Sequence, residues 1–170
     1  IAYRMVLDRS LSILKDVCKE IDWFTLLLLS GLFVVIAGIT RAGVVDAFGG
    51  LLARISGNNL FIAYTIIVGF SVLLSAFIDN IPYVATMLPV VATVGSQLGV
   101  DPTVLYFGLI TGATLGGNLT PIGASANIAA LGILRKVGDE VHPLQFMRIS
   151  VPFTFSAVLT GYALVWLIWT

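Results

Sequence analysis

Charge is scarce in this chain: only 11% of its 170 residues are charged, against about a quarter in an ordinary soluble domain. Between Leu60 and Leu134 the only formal charges are Asp79 and Asp101, whereas residues 1–22 carry eight. Nine basic and nine acidic side chains cancel, so nothing points to nucleic acid or to an anionic partner. The lone cysteine, Cys18, can form neither an intrachain disulfide nor a thiolate metal cluster. The lone histidine, His142, stands beside Glu140 in a polar loop and reads as a surface residue. An intramembrane serine protease needs a base near Ser125, and an intramembrane aspartyl protease needs two carboxylates at depth. The chain offers neither, and an enzyme is not expected. No secretory signal is visible, because the opening is charged and helical rather than a short apolar core with a cleavage site. The missing initiator methionine points to a piece of a longer protein.

What the chain has instead is apolar surface. Hydrophobic residues make up 58% and the mean hydropathy is +1.04, which implies an all-α polytopic membrane protein with the lipid bilayer as its first partner. Residues 1–22 read as an amphipathic cytoplasmic or interfacial helix, with Tyr3, Leu7, Leu11, Leu14, Cys18 and Ile21 spaced by three and four. A span is expected over 23–40, with Trp23 at the interface. A short interfacial helix follows over 42–57, with Val44, Val45, Phe48, Leu51, Leu52 and Ile55 on one side, ending at Gly57-Asn58. The last span, 147–169, closes on Trp166 and Trp169 and follows a polar loop from Arg135 to Arg148.

Two interruptions organise what lies between. The apolar block 60–99 is broken once, at Asp79-Asn80-Ile81-Pro82, so it is either two full spans with a tight turn or a re-entrant hairpin. Pro82 suits the first turn of the second helix, and Asp79 or Asn80 can cap it. The block 103–136 is longer than a roughly 30 Å hydrocarbon core needs and is broken by Gly116, Gly117, Pro121 and Gly123. This gives half-helices from about Val104 to Gly117 and from about Ala124 to Arg135. Gly108, Gly112 and Gly116 recur every four residues, a small-residue stripe that admits close approach of another helix.

Lysine and arginine placement chooses among topologies. If 60–99 returns to its side of entry and 103–136 crosses once, Arg4, Arg9, Lys15, Lys19, Arg135, Lys136 and Arg148 share one face against Arg41 and Arg54. A second crossing would destroy that bias. The positive-inside rule therefore puts the N-terminus in the cytoplasm and the C-terminus outside, in a plasma or inner membrane.

Asp79 is the one ionisable group inside the central apolar blocks, and an intramembrane acid either finds a cation or holds a proton. Asn80, Asn118, Thr120, Ser125 and Asn127, together with carbonyls freed by the breaks, can bind a small ion or substrate; capping and interhelical hydrogen bonds are the plainer use of the same residues. A sodium ion at Asp79, Asn80, Asn118 and Asn127 is one arrangement. Pro82, Gly116, Gly117, Pro121 and Gly123 serve as structural breaks. No cofactor is expected beyond a coupling ion, sodium or proton.

Ser75 through Asp79, Asn80, Pro82 and Thr86 to Pro89, followed by Leu115 through Asn118, Thr120, Pro121, Gly123 and Ser125 to Asn127, resembles the paired signature of the ion transporter superfamily. Within it the chain is most similar to the branch of arsenite permeases, sodium/proton antiporters and P protein, which shares a citrate-transporter-like domain. Ile21-Asp22-Trp23 through Phe33 resembles the start of that family's second repeat. The resemblance implies one half of an inverted-repeat transporter, residues 23–170 forming a single repeat. A re-entrant helical hairpin with Asp79-Asn80 at its tip and a discontinuous transmembrane helix would face a first repeat of the same transporter, absent from this sequence. It also implies a homodimer and a secondary active transporter that moves a small inorganic or organic ion, or exchanges sodium for protons, by alternating access. Dicarboxylate carriers of the superfamily have Ser-Asn-Thr at their hairpin tips; Asp-Asn-Ile here favours proton or cation handling. The competing expectation is a structural, non-transporting subunit of a membrane complex.

Overall fold

A backbone without access to water must satisfy its polar groups internally, and in one segment only a helix does this. The computed structural model describes residues 23–170, and these form seven helices and no strand. The chain is an all-α polytopic membrane protein. The amphipathic helix expected over 1–22, with its four basic residues, lies outside the described residues. The chain divides into two units, 1–35 and 36–170. Helix α1, Trp23–Arg41, begins in the first, and the six helices after it belong to the second.

Helix α2, Val44–Ile55, follows a bend of 71° at Ala42-Gly43. It buries Val45, Gly49, Leu52 and Ala53 and exposes Val44, Leu51 and Ile55. The expected apolar face is therefore rotated, because Gly49 draws the helix against a neighbour: a methyl group there would stand 2.8 Å from the Thr93 side chain and 3.2 Å from the Val90 carbonyl. Gly57 and Asn58 then reverse the chain in the left-handed region, with φ of 60° and 58°, and Asn59 caps the next helix by accepting from the amides of Phe61 and Ile62 at 2.9 and 3.2 Å.

Helices α3, Leu60–Ser75, and α4, Asn80–Leu98, form the hairpin. Helix α5, Thr103–Gly116, returns after a turn in which Asp101 accepts from the Thr103 amide at 2.7 Å. The glycine stripe of α5 lies on α3. A Cβ at Gly108 would meet the Tyr64 ring at 2.6 Å, one at Gly112 the Val68 carbonyl at 2.7 Å, and one at Gly116 the Val72 backbone at 2.6 Å. The constant offset of these contacts makes the two helices parallel, so both end at the same level. Tyr64, Ile67, Val91, Val94, Leu105 and Leu109 fill the space between α3, α4 and α5.

Helix α6, Ser125–Lys136, buries no residue. Helix α7 runs Pro143–Trp169, four residues before the expected span at 147. Pro143 explains the difference, since its fixed φ suits a first helical turn and its missing N–H costs nothing there. At one end of the bundle the Trp166 ring packs on Phe61 at 4.8 Å and on Tyr64 at 5.3 Å, and the Tyr64 hydroxyl donates to the Tyr162 carbonyl at 2.8 Å. At the other end lie the two breaks. By length and composition α4 and α7 can each cross a membrane, and the bent end of α1 with α2 is a third candidate, among the described residues. At 1.5 Å per residue α3 and α5 reach only about 24 and 21 Å.

Candidate functional site

The first break is Ala76–Asp79. Helix α3 ends because Phe77 and Ile78 both return their amides to the Leu74 carbonyl, at 3.0 and 2.9 Å, which leaves the carbonyls of Ser75 and Ala76 free to face outward. Asp79 then stands as the N-cap of α4, with one carboxylate oxygen, Oδ1, 3.5 Å from the Ile81 amide.

The second break, residues 117–124, lies against the first. Gly123 sits so close that a Cβ would stand 2.6 Å from the Gly117 carbonyl, 2.7 Å from that of Ala76 and 2.9 Å from that of Ser75; only glycine fits between three backbone oxygens. Thr120, buried, donates its hydroxyl to the Ala76 carbonyl. The other oxygen of Asp79, Oδ2, accepts the Ser125 amide at 3.3 Å. One half-buried carboxylate thus faces the first turns of α4 and α6 together. Each turn presents unpaired amides and the positive end of a helix dipole, an arrangement that stabilises negative charge.

The carbonyls opened by the second break are held by side chains. Asn127 donates from Nδ2 to Gly117 at 3.0 Å and to Thr120 at 3.2 Å, and Ser150 of α7 donates to Leu119 at 3.0 Å. Within the last turn of α5, Ser75 of α3 also donates to the Ala113 carbonyl at 2.5 Å, a second bond for an oxygen that already accepts the Gly117 amide. Among the described residues, Asn80, Asn118 and Ser125 make no side-chain hydrogen bond to protein. Asn118 and Asn127 share a cavity of about 470 Å³ with Gln145, Phe146, Ser150 and Phe153; Asp79 and Asn80 are not among its walls. Pro82 stands in the first turn of α4, and Pro121 lies within the second break. Ser75 heads the family-like motif and Ser150 belongs to no motif; neither is among the site residues expected from the sequence. The available signal was a hydroxyl standing alone in an apolar run, which says that an acceptor is near without saying which. Among the described residues, no three histidine, cysteine or acidic side chains converge as metal ligands.

Fold and site together define an integral membrane protein whose interrupted helices meet at one polar locus, a construction used by transporters for their ions and substrates. The citrate transporter family profile matches residues 2–112, and the chain belongs to that family. It is 37% identical over 155 residues to an uncharacterized transporter of Mycobacterium tuberculosis, covering 90% of this chain and 36% of the relative. It is 30% identical over 172 residues to an uncharacterized transporter of Synechocystis, covering 91% and 38%. The P protein of Homo sapiens is 33% identical over 152 residues, covering 85% of this chain and 18% of that protein. The chain thus spans little more than a third of the length of the bacterial relatives. No solved structure matches it.

Proposed function

We propose that residues 23–170 are one repeat of a secondary active transporter that moves a small anion by alternating access, with Asp79 as its proton-exchanging group. One observation carries this reading: the Asp79 carboxylate lies against the amides of both Ile81 and Ser125, at 3.5 and 3.3 Å. The place where α4 and α6 aim their positive ends is already filled by the protein's own carboxylate. A proton on Asp79 would leave both first turns without an anion and open to a substrate carboxylate or oxyanion, which couples anion binding to protonation. Sodium in exchange for protons is the second reading. It is favoured by Asn118, whose side chain makes no protein hydrogen bond beside the Asn127 cavity. The facing repeat, the homodimer, the cytoplasmic N-terminus and external C-terminus, and the plasma or inner membrane belong to the same proposal.

The test is flux of citrate, arsenite and sodium in vesicles holding the full-length protein, with and without a pH gradient. Asp79→Asn keeps an oxygen for one of the two amides and removes the charge. Transport that persists but loses its dependence on the pH gradient supports the reading. Coupled transport of every ion left unchanged sinks the role of Asp79, and no flux from the parent protein leaves a non-transporting subunit.

A further inference from the structure

We infer that the cavity along the outer face of α6 is an anion-selective vestibule leading from the loop 137–142 to the second break, with Arg135 as its charge selector. The cavity measures about 600 Å³. Its inner end is formed by Pro121 and Ile122, inside the break itself, and its wall by Ile128, Leu131 and Gly132. Arg135, Glu140 and His142 line the outer end. Positions 128, 131, 132 and 135 follow one face of a helix at spacings of three and four, so the passage follows α6 from a point close to its first turn to its last. Three turns separate the basic mouth from the break, about the length of a half-helix.

The wall residues Ile128, Leu131 and Gly132 offer no side chain that could hold an ion along the length of α6, and charge is confined to one end. The guanidinium of Arg135 raises the local concentration of anions, and low-dielectric walls focus that field into the passage. Pro143 also lines the mouth and opens α7, which turns the positive end of a 27-residue helix toward the same entrance. Glu140 opposes both, as does the negative C-terminal end of α6, whose last turn carries Arg135. The selectivity is therefore the balance of a full arginine charge and one positive helix terminus against one carboxylate and one negative helix terminus. The two termini offset each other; Arg135, on the α6 face that forms the wall, sets the sign against Glu140 in the loop, and that sign is predicted to favour anions. The inference rests on the transport reading for its biological direction, but the electrostatics can be measured without transport.

The experiment places a single cysteine at Ile128, about 55% exposed in the wall, in full-length protein whose native cysteines, Cys18 included, are replaced. The probes are the anionic sulfonatoethyl and the cationic trimethylammonioethyl methanethiosulfonates, their rates normalised to a free thiol. The anionic reagent should react faster at low salt. Arg135→Gln should cut the anion-to-cation ratio by about tenfold, Glu140→Gln should raise it, Arg135→Lys should preserve it, and added salt should compress all of these differences. A ratio at or below one, a ratio indifferent to both charge changes, or a cysteine that neither reagent reaches would each overturn the vestibule. Charge-selective labelling in a protein that moves no ion would keep the vestibule and remove the transport reading.

Discussion

Helices α5 and α6 are the two halves of one interrupted segment, yet they are held in opposite ways. The glycines of α5 press its backbone against α3, and Val104, Leu105, Leu109 and Ala113 are buried. Helix α6 buries nothing, and Ile128, Ile133 and Leu134 are exposed. What attaches it is polar and lies at its start: the Ser125 amide on Asp79 and the Asn127 side chain on two carbonyls. The same chain thus pairs a half-helix fixed by close packing with one fixed by a handful of hydrogen bonds at the break. Packing at this density does not deform continuously, whereas a few polar contacts can be exchanged singly. Any motion that the proposed alternating access requires is expected on the α6 side of the break.

Glycine substitution breaks this comparison most directly. In Gly116→Ala the new methyl group would meet the Val72 Cα and carbonyl at 2.6 Å, and backbone cannot move aside as a side chain can. The expected loss is at least at the upper end of the about 1–3 kcal/mol typical of overpacking. Gly132→Ala in α6 meets nothing within 4 Å and should gain about 0.5–1 kcal/mol from helix propensity alone. Unfolding temperatures of both variants in detergent decide the matter. If the two shift alike, α5 and α6 are equally packed in the full protein and the contrast is lost.

That contrast was half legible in the sequence. The four-residue recurrence of Gly108, Gly112 and Gly116 announces a close helix contact but cannot name the partner, since Tyr64, Val68 and Val72 look like any apolar face. Both breaks are legible because proline and glycine interrupt otherwise apolar runs. Their meeting is not, because the contacts joining them, Thr120 with Ala76 and Asp79 with Ser125, run between segments more than forty residues apart and involve backbone groups. Every residue carries such groups. The rotation of α2 was missed for a related reason: a count of apolar side chains gives no weight to Gly49, whose lack of a side chain sets the contact.

Two asparagines sharpen the comparison at the second break. Asn127→Ala removes donors to the Gly117 and Thr120 carbonyls and should cost about 1–3 kcal/mol, seen as a lower unfolding temperature and as faster proteolysis near residues 117–124. Asn118→Ala removes no protein hydrogen bond and should leave stability within about 0.5 kcal/mol. Its effect is predicted to appear in flux instead. Equal stability losses would mean that Asn118 supports the break as Asn127 does, and its candidacy as an ion ligand would end.

The smallest effect separates the two carboxylates. Asp79 reaches across two elements at 3.3 and 3.5 Å, whereas Asp101 serves only its own turn, 2.7 Å from the Thr103 amide. Hydrogen bonds from the Thr103 side chain and then its backbone hold Asp101 below the ordinary carboxylate range. A depressed value in the folded state means a contribution that is complete at neutral pH and is lost as pH falls through that folded value. Asp101 is exposed, so solvent screens the effect and the contribution is small. Asp101→Asn should slightly flatten the decline in unfolding temperature between about pH 7 and about pH 3 and leave ion flux untouched. An acid limb identical to the parent's would show that the turn between α4 and α5 draws nothing from this charge, and a change in flux would place Asp101 on the transport path proposed for Asp79.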